Sequence, residues 1–355
     1  MTLIAYTNNY NRPILIGDIL LTSKEEGKQV EIPTFLQNIE GLLPTSQTIF
    51  PYSLRQKLYV INEKIAIGMA GNVYQMTRFL EDFKCFFKYY PTNKEGYAKF
   101  LETYDISDIS ECAIVICIIE KVDDSFQFTH NYIGDWNRVN HPVIEFSNVV
   151  GTGASSFIDT IKTFNGVDIT GTHPVSINLS LLSNMIAMER LTLASIMEAW
   201  GAGFEIIECT DGNFKKVDEL TFVIWKSKIN EESTDLDKDP FLIFHYKYSN
   251  DVLIINTFSG GKIARYAVLP LDMKREDFNE DEVPASVDFS SKLLVSTFII
   301  EYQNEFYFPT LVSELGDGTE AIKVNVKNNG STIEVMIRED ISRKLAQETI
   351  KIARQ

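Results

Sequence analysis

Residues 2–23, TLIAYTNNYNRPILIGDILLTS, contain two apolar runs joined by a polar turn. The first run, residues 2–8, has the composition of a strand, and the Asn-rich segment 8–13, closed by Pro13, is typical of a turn. The second run is apolar on both faces up to Asp18, which predicts a strand returning beside the first. Because the first strand starts at residue 2, the sequence predicts that Thr2 is held at a sheet.

Thr2 becomes chemically important if Met1 is removed, because it then carries a hydroxyl and a free α-amine. An α-amine, with a pKa of about 8, can accept the hydroxyl proton during attack on a carbonyl. A neighbouring lysine lowers that pKa, and a carboxylate holds the lysine, while a backbone N–H stabilises the oxyanion. Asp18 within an apolar strand, Lys57, and Gly71 at the end of KLYVINEKIAIGMAG are candidates for these groups. The alternative is a sheet that merely begins near the terminus, with Asp18 a structural charge and Lys57 a surface residue.

Composition excludes several classes of function. The chain has 355 residues, of which 45% are hydrophobic, enough to bury the core of two domains or of one domain with a large appendage. The net charge of −16 argues against binding to nucleic acid or an anionic membrane. The start lacks the features of a secretory signal, and Cys112 and Cys117 lie in one apolar run without a CxxC motif, so we expect a reducing, cytoplasmic location. The four histidines are scattered, and we expect no metal or cofactor.

The order of predicted elements is strands, two helices, strands, two helices and strands. This order favours an α+β fold, a four-layer αββα sandwich in which two helical layers enclose stacked, mainly antiparallel sheets. We predict this domain over residues 1–228, with an inserted polar loop at 24–50, a linker at 229–240, and a β-rich region at 241–355 that ends in a helix at 341–353. Within the first domain, a long helix is predicted over 178–200.

The first two hundred or so residues resemble the β-type proteasome subunits and the related bacterial two-component protease subunit, which are N-terminal nucleophile hydrolases. Thr2 matches their nucleophile, Asp18 and Lys57 match their catalytic acid and lysine, and Gly71 matches the glycine of their oxyanion hole. Thr152, in VVGTGASS, stands where the family has the serine of a Gly-Ser-Gly turn. The resemblance implies the αββα fold and cleavage of peptide bonds through an acyl-enzyme.

The sequence departs from the family at the end of the last long helix, in MEAWGAG. Glu198 replaces an aspartate that lies near the nucleophile's amine, and Gly201 replaces a serine. The glutamate retains the charge one methylene further out, whereas the glycine cannot retain the hydroxyl. The region after about residue 228 has no counterpart in a typical subunit.

The resemblance also implies the residues that contact substrate. Thr22 matches the residue whose backbone binds an extended peptide, Leu21 lies beside it, and Met69 lies two residues before Gly71. Val73 is expected on the same wall of the pocket as Met69, and Arg55 near its rim. An apolar pocket predicts preference for Leu, Phe or Tyr before the cleaved bond. The alternative is that Met69 and Val73 fill the core under the first helix.

Three functions remain open on this sequence. The first is a threonine-type hydrolase of peptides or other amides, acting as a homo-oligomer as the family does. The second is a catalytically silent scaffold whose C-terminal region binds a protein partner. The third is an amidase that acts on a small molecule.

Overall fold

The computed structural model describes the chain outside residues 1, 10–11, 26–29, 37–47, 143, 164–174, 230–233, 237–239, 280–288, 290, 303–304, 315–321, 328–331 and 338–355. The predicted helix at 341–353 and most of the predicted loop at 24–50 therefore lie outside the described residues.

The described residues form five α-helices and 22 strands. The helices are α1 (Val73–Phe86), α2 (Lys94–Thr103), α3 (Ala154–Thr163), α4 (Ser176–Thr192) and α5 (Ala194–Met197). The strands are β1 (Leu3–Asn9), β2 (Arg12–Asp18), β3 (Leu20–Ser23), β4 (Phe50–Leu54), β5 (Leu58–Asn62), β6 (Ile65–Gly71), β7 (Cys112–Val122), β8 (Ser125–Ile133), β9 (Asn137–Asn140), β10 (Phe146–Gly151), β11 (Phe204–Thr210), β12 (Asn213–Lys216), β13 (Leu220–Ile229), β14 (Thr234–Leu236), β15 (Leu242–Ser249), β16 (Val252–Ser259), β17 (Lys262–Val268), β18 (Leu293–Tyr302), β19 (Glu305–Tyr307), β20 (Thr310–Glu314), β21 (Ile322–Lys327) and β22 (Thr332–Ile337). The protein is therefore a mixed α/β structure with several sheets.

Three sheets contain most of the strands. The first sheet has the order β12–β11–β2–β1–β10–β9 and is antiparallel throughout. The second sheet is the antiparallel series β5–β6–β7–β8. The third sheet has the order β17–β16–β15–β13–β18–β19, with β14 added to β13 and β20 added to β18. Two hairpins, β3–β4 and β21–β22, complete the pairing within the described residues.

The helix boundaries follow from local sequence in one case and from backbone geometry in another. Helix α1 begins after Asn72, whose side chain accepts hydrogen bonds from the amides of Tyr74 and Gln75 and so caps the helix. Helix α4 ends at Thr192, earlier than the predicted 200, because Leu193 has a left-handed φ of 57°. Leucine rarely adopts this conformation, so the sequence carried no signal for the break.

Apolar side chains form separate clusters between these elements. One joins α1 and α2 to the second sheet and includes Phe79, Phe83 and Ile116. A second contains Ile4 from the first sheet and Leu58 from the strand that begins the second sheet, so those two sheets share a core. The largest joins α3 and α4 to strands of the first and third sheets. Burial of these side chains is the main favourable term for folding.

Helix α4 lies between the first and third sheets and makes polar contacts with both. Asn178 Nδ2 donates to Thr7 Oγ1 at 2.6 Å, on the side of the first sheet. Ser183 Oγ lies 2.6 Å from Thr297 Oγ1 of the third sheet. Because both sheets cover it, α4 buries residues around most of its circumference and not along one stripe.

The third sheet contains strands from both sides of the predicted domain boundary at residue 228. All but the last residue of β13 precede that boundary, yet this strand pairs in parallel with β18 and antiparallel with β15. The parallel register places Leu220 opposite Leu293, more than seventy residues later. None of the helices in the described part of the chain is long and apolar enough to cross a membrane.

Candidate active site

The first sheet brings the beginning of the chain against the end of β2. Strands β1 and β2 are antiparallel with Ile4 opposite Gly17, so Asp18 lies beside Leu3 and Thr2. The amide of Leu3 donates to Asp18 Oδ1 at 2.8 Å. The hairpin expected from residues 2–23 is therefore what positions the carboxylate next to Thr2.

Thr2, Asp18 and Lys57 form one buried cluster. Thr2 Oγ1 donates to Asp18 Oδ1 and accepts a hydrogen bond from Lys57 Nζ. Lys57 Nζ also donates to Asp18 Oδ1 at 2.7 Å. Asp18 and Lys57 have no exposed surface, and Thr2 is 2% exposed. The three residues predicted to act together are in direct contact.

The Lys57 ammonium uses all three of its hydrogens in this site. Its third acceptor is the carbonyl oxygen of Leu20, at 2.6 Å. Burial lowers the pKa of Lys57, and the adjacent charge of Asp18 opposes that shift. A buried cation with a full set of acceptors has a fixed position, which is the property required of a group that tunes a neighbouring hydroxyl or amine.

Glu205, on β11, holds the backbone of Lys57 from the opposite side. Its Oε1 accepts from the amide of Lys57 at 2.7 Å, and its Oε2 lies 3.3 Å from Lys216 Nζ and accepts from Tyr248 Oη at 3.2 Å. Burial raises the pKa of Glu205, and Lys216 opposes this shift. Glu205 was not a sequence candidate, because a single Glu in a strand has no motif around it.

Residues 55–59, which include Lys57, are also bound by the region after β15. Gln56 Nε2 donates to the carbonyls of Asp251 and Val268 at 2.6 and 2.7 Å. Tyr59 Oη accepts from the amide of Leu271 at 2.7 Å. The third sheet and the segment that follows β17 are thus part of the surroundings of Lys57.

Gly201 and Glu189 occupy the side of Asp18 away from Lys57. The amide of Gly201 donates to Asp18 Oδ2 at 2.9 Å. Gly201 has φ 105°, and a Cβ atom built on it would lie 1.9 Å from Glu189 Oε2. The carboxylate of Glu189 therefore lies where any side chain at position 201 would project. Sequence reasoning missed Glu189, because a charged residue near a helix end usually faces solvent.

Thr152 and Glu198 lie nearby without hydrogen-bonding to the Thr2 side chain. Gly151 has φ 99°, and a Cβ atom on it would lie 1.9 Å from the carbonyl oxygen of Thr2, so only glycine allows this approach. Thr152 is exposed, and its Oγ1 donates to the carbonyl of Ala199 at 3.5 Å. Glu198 is also exposed, and its carboxylate accepts from Ser156 and from the Trp200 indole. Its proximity to the amine of mature Thr2 stays a prediction.

The residues expected to contact substrate differ in their exposure. Gly71 ends β6, Met69 is fully buried beneath α1, and Val73 at the start of α1 is 41% exposed. Leu21 is buried in the same cluster as Met69. Thr22 pairs with Pro51 next to a β-bulge.

Arg55 makes contacts other than those expected at a pocket rim. Its Nη1 donates to the carbonyls of Pro270 and Met273 at 3.1 and 2.9 Å. The guanidinium therefore holds the segment after β17 and is already engaged within the chain.

Comparisons with known proteins leave the family of this chain open. No family model and no curated protein sequence matches it significantly. Among solved structures, the chain is similar to the eukaryotic HslV of Trypanosoma brucei, with 13% sequence identity and a TM-score of 0.33. That match covers 58% of this chain and 98% of the other.

Proposed function

We propose that the chain is an N-terminal nucleophile hydrolase that cleaves peptide or other amide bonds through Thr2 after removal of Met1. The observation that carries this proposal is the buried contact of Thr2 Oγ1 with both Asp18 and Lys57. Burying the charges of Asp18 and Lys57 would be costly if they were not paired. Their contact places the Lys57 cation directly on the Thr2 hydroxyl, which the neighbouring α-amine could deprotonate.

The fold that this proposal requires is the four-layer αββα sandwich predicted for residues 1–228. Its support is the pattern of shared clusters: α1 and α2 with the second sheet, the second sheet with the first, and the first sheet with α3 and α4. The third sheet adds a further layer beyond α4.

The proposed reaction proceeds in two balanced steps. Thr2 Oγ1 bonds to the substrate carbonyl carbon and its proton passes to the freed α-amine; the C–N bond then breaks, and the leaving amine takes that proton. Water next attacks the Thr2 ester, giving a proton to the α-amine, and the proton returns to Thr2 Oγ1 as the ester C–O bond breaks. Lys57 favours the neutral amine through its charge, and Asp18 holds Lys57. By resemblance, the Gly71 amide would bind the oxyanion.

A second function, a catalytically silent scaffold, is favoured by one observation. Thr2 is 2% exposed, so in this conformation its hydroxyl does not face solvent. If Met1 is kept, the α-amine is blocked and the Thr2–Asp18–Lys57 cluster serves only to hold the start of the chain.

Two mass measurements decide between these functions. Intact-mass spectrometry of the chain from its native host should show loss of Met1. Incubation with a peptide carrying an electrophilic warhead should then add one warhead to wild type and none to Thr2→Ala. Thr2→Ser retains the hydroxyl and should still react, which separates loss of the nucleophile from loss of the fold. Retention of Met1, or labelling of Thr2→Ala, would contradict the proposal.

Self-association is expected to be restricted by the third sheet. Strands of the third sheet cover α4, so that helix is not free for packing between subunits. The side formed by α1 and the segment that joins it to α2 remains exposed, and Tyr74 and Tyr89 there are 74% and 81% exposed. We propose a homodimer through that side. Light scattering at several concentrations tests it, and a monomer throughout would reject it.

A further inference from the structure

Glu189 is a buried carboxyl group without a basic partner. It lies near the end of α4, is 2% exposed, and accepts from Thr34 Oγ1 at 2.5 Å, Ser195 Oγ at 2.6 Å and the amide of Ala202 at 3.1 Å. Among the described residues, none of these partners is a cation. Burial without a cation destabilises the charged form of a carboxyl group, and the three donors offset part of that cost.

None of the charged groups described around Glu189 supplies a counter-ion. Asp18 is the neighbouring acid, and the one cation in the cluster, Lys57, has its three hydrogens on Thr2, Asp18 and a backbone carbonyl. Arg190, the next residue of α4, donates instead to Ser259 Oγ at 3.1 Å. Burial raises the pKa of Glu189 to about 7, although the hydrogen bonds from Ser195, Thr34 and Ala202 act to lower it, and the negative charge of Asp18 acts in the same direction as burial.

Consecutive backbone amides connect the two acids. The Gly201 amide donates to Asp18 Oδ2 at 2.9 Å, and the next amide, that of Ala202, donates to Glu189. The Trp200–Ala202 turn is therefore held between the two carboxyl groups. The Glu189 carboxyl group fills the space beside Gly201, because a Cβ atom on Gly201 would lie 1.9 Å from Glu189 Oε2.

We propose that Glu189 is a positioning residue that carries a proton in the working form of the site and, in that form, holds the Trp200–Ala202 turn against Asp18. This inference rests on the proposed function for its effect on Thr2, but the protonation of Glu189 can be measured without activity. Loss of the proton places a second negative charge beside Asp18. That charge stabilises the protonated α-amine of mature Thr2, which can then no longer act as a base.

Infrared difference spectroscopy tests the protonation itself. Wild type minus Glu189→Gln at pH 6 should show the C=O stretch of a protonated carboxylic acid, and this band should disappear as the pH is raised through about 7. The matched control is Glu208→Gln. Glu208 is a second buried acid, on β11 of the first sheet, and its carboxylate lies 3.3 Å from Lys215 Nζ, so this variant should give no such band. Absence of the band in the Glu189→Gln difference spectrum would overturn the proposal, whatever the outcome of the labelling experiments.

The pH profile of Thr2 labelling tests the effect on the reaction. Above about pH 7 the labelling rate of wild type should rise less steeply with pH than that of Glu189→Gln, which stays neutral and keeps the size of the side chain, so that Glu189→Gln reacts about tenfold faster than wild type at pH 8.5. Glu208→Gln should follow wild type. Identical profiles in wild type and Glu189→Gln would overturn the positioning role. If wild type is not labelled at any pH, the proposed hydrolase function fails, and the infrared result alone decides whether Glu189 carries the proton.

Discussion

Lys57 Nζ lies 2.7 Å from Asp18 Oδ1, and neither side chain has any exposed surface. A buried ion pair of this kind contributes little net stability, because the desolvation of both charges offsets their attraction. Removing only one partner is costly, however, because the remaining charge is then buried without a counter-ion. The main effect of the pair is therefore to fix the Lys57 ammonium against Thr2.

Breaking this pair should separate the cost of an unpaired charge from the loss of contacts. Lys57→Met leaves Asp18 buried without a counter-ion and should lower the free energy of unfolding by about 3–5 kcal/mol, measured by urea denaturation. The double variant Lys57→Met/Asp18→Asn leaves no charge and should lose less than Lys57→Met alone. A loss below about 1 kcal/mol in Lys57→Met would contradict burial of the pair.

Introducing a serine at Gly201 should destabilise the protein. Gly201→Ser would place a Cβ atom 1.9 Å from Glu189 Oε2 at a φ of 105°, so we expect a loss of at least about 3 kcal/mol on urea denaturation. The matched control is Gly260→Ser, which has φ 56° but no atom within 4 Å, and should cost only about 1–2 kcal/mol of backbone strain. Equal losses at the two sites would show that Glu189 is not where the structure places it.

The stability of the protein should depend on the titration of Glu189. Its folded pKa of about 7 lies above the ordinary 4.5, so the folded state holds the proton more tightly than the unfolded chain. The contribution is favourable below pH 4.5, is lost as the pH rises to 7, and amounts to about 3 kcal/mol at 1.36 kcal/mol per pH unit. Urea denaturation between pH 4.5 and 8 should show Glu189→Gln gaining on wild type over this interval. A constant difference would contradict the shifted titration.

The region after β15 should be needed for the integrity of the site. Gln56→Ala removes the donors to the buried carbonyls of Asp251 and Val268 and should cost about 1–3 kcal/mol. It should also slow labelling of Thr2, because Gln56 precedes Lys57. Arg78→Ala serves as a control, since its pair with Asp108 is exposed and should be worth less than about 1 kcal/mol. Normal stability and labelling in Gln56→Ala would make the C-terminal region independent of the site.

Local sequence was sufficient where a signal lies within a few residues. The turn after β1 and the apolar run of β2 predict the hairpin that places Asp18 beside Thr2, and Asn72 marks the start of α1. Lys57 and Gly71 were candidates because of their residue types, and the resemblance to a family, not periodicity, supported their roles. That resemblance also supplied Glu198, which the structure places at the surface with Ser156 and Trp200.

The tertiary structure decided which polar residues surround the Asp18–Lys57 pair. The parallel pairing of β13 with β18 joins segments more than seventy residues apart, and no local pattern specifies the partner of a buried apolar strand. That pairing covers α4, and the antiparallel pairing of β15 with β13 brings Tyr248 to Glu205. Glu189 is buried between α4 and the Trp200–Ala202 turn. Sequence determined the elements and the hairpin at Thr2, because those depend on neighbouring residues. Burial and its effect on protonation depend on distant segments that meet only in the folded chain, so Glu189 and Glu205 could be recognised only in the structure.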